Sequence, residues 1–105
     1  MNANILTPIA SLAITVTGLA SQPPFSKANR LADSGNFPEA IAKYEHALLL
    51  GYRTPPLLSN LGVAYAREGN REKARMLFQE ALRVDPGYPG ARANLEKLEN
   101  ETGQR

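Results

Sequence analysis

The sequence predicts an all-α fold of about five helices, arranged as repeated antiparallel helix–turn–helix units. Three observations carry that expectation. The chain matches itself at an offset of 34 residues: Ala32, Gly35, Asn36, Ala40, Ala47 and Leu48 recur as Ala66, Gly69, Asn70, Ala74, Ala81 and Leu82, and aromatic Tyr44 falls on aromatic Phe78. Self-similarity at such a period is the mark of stacked supersecondary units. Between these landmarks the apolar residues recur at the helical period of about 3.6. Gly35, Gly51, Gly69 and the run Asp85-Pro86-Gly87 punctuate the periodic segments, as helix terminators should.

The elements follow in order. A first helix over about residues 24–34 ends at Gly35. A second, 37–50, opens with Asn36 and with Glu39 three residues later, a pattern like a capping box; Pro38 lies in its first turn, where a missing N–H is harmless, and Gly51 closes the unit. A third, 56–68, carries Leu57, Leu58, Leu61, Ala64 and Tyr65 at helical spacing and stops at Gly69 in a left-handed cap. Asn70 begins the fourth, 71–84, whose stripe is Leu77, Phe78, Ala81 and Leu82. The fifth, 89–101, sets Ala91, Leu95 and Leu98 against Arg92, Glu96, Lys97 and Glu99. Pro55, Asn60 and Leu61 recur in it as Pro89, Asn94 and Leu95. It is therefore half a unit with one wet face, the solvating cap that a stacked array needs. The organisation is a first unit at 21–54, a second at 55–88, a capping helix at 89–101 and a tail at 102–105.

Residues 1–20 have a different character. No charged side chain precedes Lys27, and Ile5–Ala20 has ten apolar residues in sixteen. An apolar core followed by small residues such as Gly18-Leu19-Ala20 fits a cleaved export signal, although a basic segment before it is missing. A membrane anchor through residues 5–20 is a second reading, in which Lys27 and Arg30 would keep the domain cytoplasmic. A loose start, or a helix packed on the domain, is a third. The expected setting is export to a periplasmic or extracellular space, or membrane attachment, with the cytoplasm as the remaining option.

Composition removes several classes of chemistry. The chain has no cysteine and one histidine, His46. Disulfide frameworks, thiolate catalysis and cysteine-based metal sites are excluded, and triads or metal clusters lack their parts. No catalytic, cofactor-binding or metal-binding residue is expected, and the chain is not expected to be an enzyme. A net charge of +2 on 105 residues is too small to argue for nucleic acid. The basic stretch from Arg67 to Arg75 is interrupted by Glu68 and Glu72 and reads as a solvated turn.

The second unit resembles the tetratricopeptide repeat, with Leu58, Leu61-Gly62, Tyr65, Ala74, Phe78, Ala81 and Pro86 at the places that pattern prescribes. The first unit is a weaker copy: Ala28, Leu31, Ala40, Tyr44 and Ala47 are in place, Tyr52 stands where proline belongs and Pro24 where a bulky residue belongs. The resemblance implies an α-solenoid whose first helix in each unit lines a concave groove for a peptide. Carried over residue by residue, that groove would present Phe25, Asn29 and Asp33 from the first unit. Ser59, Asn60, Val63 and Arg67 would come from the second unit, and Asn94 and Lys97 from the cap. Asn29 and Asn60 match the two asparagines with which chaperone adaptors of the family clamp a C-terminal carboxylate, but Phe25, Gly90 and Asn94 occupy the basic positions. The charge such a clamp needs is absent.

The resemblance implies a non-catalytic module that binds a peptide segment or partner protein in this groove, as an adaptor or scaffold. The alternative is structural self-assembly: Pro24 and Phe25 would leave an apolar end face on which another copy could stack, giving a homo-oligomer.

Overall fold

The computed structural model describes residues 25–103. The expected export or anchor segment, residues 1–20, lies outside the described residues; among those described, no helix is long and apolar enough to cross a membrane. Five helices follow one another: α1 Ser26–Asp33, α2 Phe37–Leu49, α3 Pro55–Arg67, α4 Arg71–Val84 and α5 Pro89–Gly103. No strand occurs among the described residues. The all-α expectation therefore holds. The differences are confined to helix ends, where α1 begins at Ser26 and α5 runs two residues beyond 101.

Three glycines make the turns. Gly35, Gly51 and Gly69 have φ of +87°, +98° and +89°, the left-handed region that only glycine enters without a Cβ penalty. Each is followed by the same pair of hydrogen bonds. After α1, the Gly35 N–H donates to the Ala32 carbonyl at 2.9 Å and the Asn36 N–H to the Leu31 carbonyl at 2.8 Å. After α3, Gly69 and Asn70 repeat this on Ala66 and Tyr65 at 3.0 and 2.9 Å. Gly51 and Tyr52 do so on Leu48 and Ala47. These are Schellman caps; the chain turns within three residues between α1 and α2 and between α3 and α4, and within five, 50–54, between α2 and α3.

The starts of α2 and α4 differ. Asn70 caps α4, its Oδ1 accepting the Lys73 N–H at 3.2 Å. Asn36 makes no such bond to the backbone of α2. Its Nδ2 donates instead to Glu39 Oε1 at 2.6 Å, so the expected capping box is replaced by a side-chain pair. Thr54 caps α3 through a longer bond from the Leu57 N–H, 3.4 Å.

Each helix packs on the next, and α3 also packs directly on α5. The main core joins Ala28, Ala40, Tyr44 and Ala47 of the first pair to Leu57, Leu58, Leu61, Leu77 and Ala81 of the second, with Ala91 of α5. A second cluster, Ala74, Phe78 and Leu98, binds α4 to the cap. Gly62 allows this: a Cβ there would lie 2.6 Å from Phe78 Cε1. Tyr65 reaches the other way, its hydroxyl donating to Glu45 Oε2 on α2 at 2.6 Å. The two aromatics thus tie the second unit to its neighbours on both sides.

Phe25 is half-buried and packs against the main core; Pro24, expected beside it on an apolar end face, lies outside the described residues. The fully buried Ala28 lies one turn beyond Phe25.

Candidate functional site

Helices α1, α3 and α5 share one side of the stack, and along it runs a cleft. Its larger part, about 610 Å³, is lined by Asn29 and Asp33 of α1, Phe37 and Tyr44 of α2, and Asn60, Val63 and Arg67 of α3. A smaller part, about 170 Å³, continues between α3 and α5, lined by Phe78, Asn94, Lys97 and Leu98. Val63 and Arg67 face both parts. Residues four apart on one helix share a face, which is why Asn29 and Asp33, and Val63 and Arg67, appear together.

At the floor of the larger part lies a hydrogen-bond network across three helices. Asn29 Oδ1 accepts from the Tyr44 hydroxyl, and Asn60 Nδ2 donates to the same Oδ1 at 3.1 Å. α1 and α3 meet through this amide pair. The Tyr44 hydroxyl holds its proton tightly, with a pKa pushed up to about 12 by burial first and by the nearby Asp33 charge second, against an opposing pull from the Asn60 amide. Tyr65 is raised to about 12 as well, by burial and then by its bond to the Glu45 carboxylate and that group's charge. Both phenols stay neutral hydrogen-bond donors through the physiological range.

Charge is spread along the rim. Asp33, Arg67 and Lys97 are exposed, and the Arg67 guanidinium sits over the Phe37 ring at 5.8 Å from its centroid. Such stacking holds a long side chain in place while leaving its N–H groups free for a ligand. The other basic residues between 67 and 75 are engaged with separate neighbours. Arg71 pairs with Glu101 at 3.1 Å, Arg75 with Glu72 at 3.1 Å, and Lys73 lies over the Tyr65 ring at 5.5 Å.

Phe25, packed on the main core, is not among the lining residues, whereas seven of the nine residues expected in the groove line the cleft: Asn29, Asp33, Asn60, Val63, Arg67, Asn94 and Lys97. Ser59 does not. It is 3% exposed and buried under α5, where its Oγ is the long-range acceptor, 3.5 Å, of the Asn94 amide. Phe37 and Tyr44 are lining residues that sequence reasoning missed. The signal for Tyr44 was available: at an offset of 34, Asn29 and Tyr44 correspond to Val63 and Phe78, so two polar atoms enter the first unit as a pair. His46 is exposed on α2 and lies apart from the cleft lining.

Comparison with known proteins agrees with this architecture. Residues 55–88 match the family model described as tetratricopeptide repeat. Over 76 residues the chain is 36% identical to the TPR repeat-containing thioredoxin TTL4 of Arabidopsis thaliana, a span that covers 72% of this chain and 11% of that protein. The chain thus corresponds to about a tenth of that relative's length. It contains no cysteine and so carries no dithiol of its own.

Proposed function

The chain belongs to the tetratricopeptide repeat family, and from that premise we propose that it is a non-catalytic binding module whose cleft holds an extended segment of a partner protein. Members of the family generally mediate protein–protein interaction. The observation that carries the reading here is the continuity of the cleft, with the Asn29–Asn60 amide pair at its floor and Arg67 fixed over Phe37 at the junction of its two parts. Polar groups at the floor and charges on the rim suit a peptide whose backbone is bonded below and whose side chains are sorted above. The apolar, uncharged residues 5–20 support export or membrane attachment as the setting. Stacking of copies through Phe25 has less support, because that ring already packs on its own core.

The test is selection from a random peptide library on the immobilised full chain. Peptides enriched on the wild type should be lost on Arg67→Glu, which reverses the central charge, and retained on Glu80→Ala, on the convex side. Equal enrichment on wild type and Arg67→Glu would remove the cleft from the binding surface. Melting curves of Arg67→Glu should stay close to the parent, since its stacking on Phe37 is worth only about 0.5–1 kcal/mol at an exposed site.

A further inference from the structure

We infer that Tyr44 is a positioning residue: its hydroxyl locks the Asn29 and Asn60 side chains so that the cleft presents an N–H donor beside a carbonyl acceptor, the pattern that pairs with one residue of an extended peptide backbone. The inference rests on the peptide-binding reading of the cleft and specifies what that cleft recognises.

The hydrogen-bond inventory fixes the orientation. A carboxamide oxygen has two lone pairs, and Asn29 Oδ1 accepts from both the Tyr44 hydroxyl and Asn60 Nδ2. With that oxygen filled, Asn29 turns only its Nδ2 hydrogens outward. Asn60 uses one N–H in the network and keeps Oδ1 for a ligand. Neither Asn29 Nδ2 nor Asn60 Oδ1 has a protein partner among the described residues.

Two further observations oppose the reversed arrangement. Tyr44 is 1% exposed, and turning Asn29 over would leave its hydroxyl proton facing an N–H instead of an acceptor, a costly loss at a buried site. Asp33, one helical turn from Asn29 and lining the same cleft, favours the N–H edge of the amide on its side and would repel the carbonyl edge.

In an extended chain the N–H and C=O of a single residue point to the same edge and are exchanged with a partner as a pair. Asn60 Oδ1 and Asn29 Nδ2 offer the complementary acceptor and donor. This recognition reads the backbone and leaves side-chain choice to Asp33, Arg67 and Lys97 on the rim. The second unit shows that the hydroxyl is not required for packing. At the register position of Tyr44 it holds Phe78, and at that of Asn29 it holds Val63, both in one apolar cluster.

Two variants of the full chain test the lock by NMR of the side-chain amides. In Tyr44→Phe the melting temperature should move by a few degrees at most, while the order parameters of the Asn29 and Asn60 side-chain amides fall towards those of exposed asparagines. The double variant Asn29→Val with Tyr44→Phe copies the second unit and should fold with neither amide feature. The probe for binding is the most enriched peptide from the library selection. Tyr44→Phe should bind it about five- to tenfold more weakly, the worth of one hydrogen bond. Methylating one backbone nitrogen of that peptide should weaken wild-type binding by a similar factor and leave the Tyr44→Phe affinity almost unchanged. Amide order parameters that are the same in Tyr44→Phe and wild type would overturn the inference whatever binds. A selection that returns no peptide would instead defeat the cleft reading, with the amide measurement still deciding the lock.

Discussion

The two helix pairs share turns and diverge where their helices touch. α1 and α2 enclose Ala28, Asn29 and Tyr44; at the same register α3 and α4 enclose Gly62, Val63 and Phe78. In the second pair the missing Cβ lets the Phe78 ring lie directly on α3, with Val63 and Leu98 around it. The ring is 1% exposed and brings no polar atom to the cleft that it borders. In the first pair Ala28 supplies a buried Cβ at the equivalent place, and the ring of Tyr44 carries a hydroxyl out to Asn29 at the cleft floor. One unit has used its central aromatic to glue the stack, the other to organise a polar surface. The cleft is accordingly larger beside the first unit, about 610 Å³ against 170 Å³.

The largest expected effect tests the packing half of this contrast. Phe78→Ala should cost about 3–5 kcal/mol, the range for deleting a buried ring when the site collapses only partly. Gly62→Ala attacks the same contact from the other side, since its Cβ would meet the ring at 2.6 Å, and should cost about 1–3 kcal/mol by overpacking. Thermal or urea melts measure both. If Gly62→Ala were neutral, the two units would tolerate the same residue at this register, and the distinction between a packing unit and a presenting unit would fail.

Much of this was legible in the sequence, and the parts that were not have a common cause. Glycine at 35, 51 and 69 fixes where helices end because only that residue takes the required φ, so the turns could be read from single letters. Apolar period located the helices, and the self-match gave their register. What a helical period does not give is the rotation of one helix against the next. Ser59 adjoins Asn60 in sequence, yet it turns beneath α5. Phe37 enters the cleft only because the turn at Gly35 brings the start of α2 near the end of α3. Asn36 and Asn70 occupy the same register, but the Glu39 carboxylate captures the first amide.

The contrast also has a pH signature of intermediate size. Tyr44 and Tyr65 both have pKa values raised from 10.0 to about 12. A phenol that binds its proton more tightly when folded contributes its full stabilisation below the unfolded value, and that contribution is lost as the pH climbs from about 10 towards 12. Stability should therefore be flat through neutrality with respect to these groups and fall in that alkaline window. Tyr44→Phe and Tyr65→Phe should each make the fall shallower. Phenolate absorbance followed alongside circular dichroism measures this. Ionisation of both rings below pH 10 with the fold intact would contradict the buried network.

The smallest effect separates the two units at their second helices. Asn70 satisfies one of the orphan N–H groups at the start of α4, that of Lys73, whereas Asn36 leaves the backbone of α2 uncapped and bonds only Glu39. Removing a capping asparagine costs about 0.5–2 kcal/mol, and an exposed side-chain pair contributes a few tenths at most. Asn70→Ala should thus lower stability by about 1 kcal/mol, and Asn36→Ala by clearly less. Glu39→Ala sharpens the comparison. If the carboxylate competes with the backbone for the Asn36 side chain, its removal frees Asn36 to rotate and cap α2, and the variant should be no less stable than the wild type. Equal losses for Asn36→Ala and Asn70→Ala would mean that the first unit caps its second helix as the second unit does, and that the two differ only around Tyr44 and Phe78.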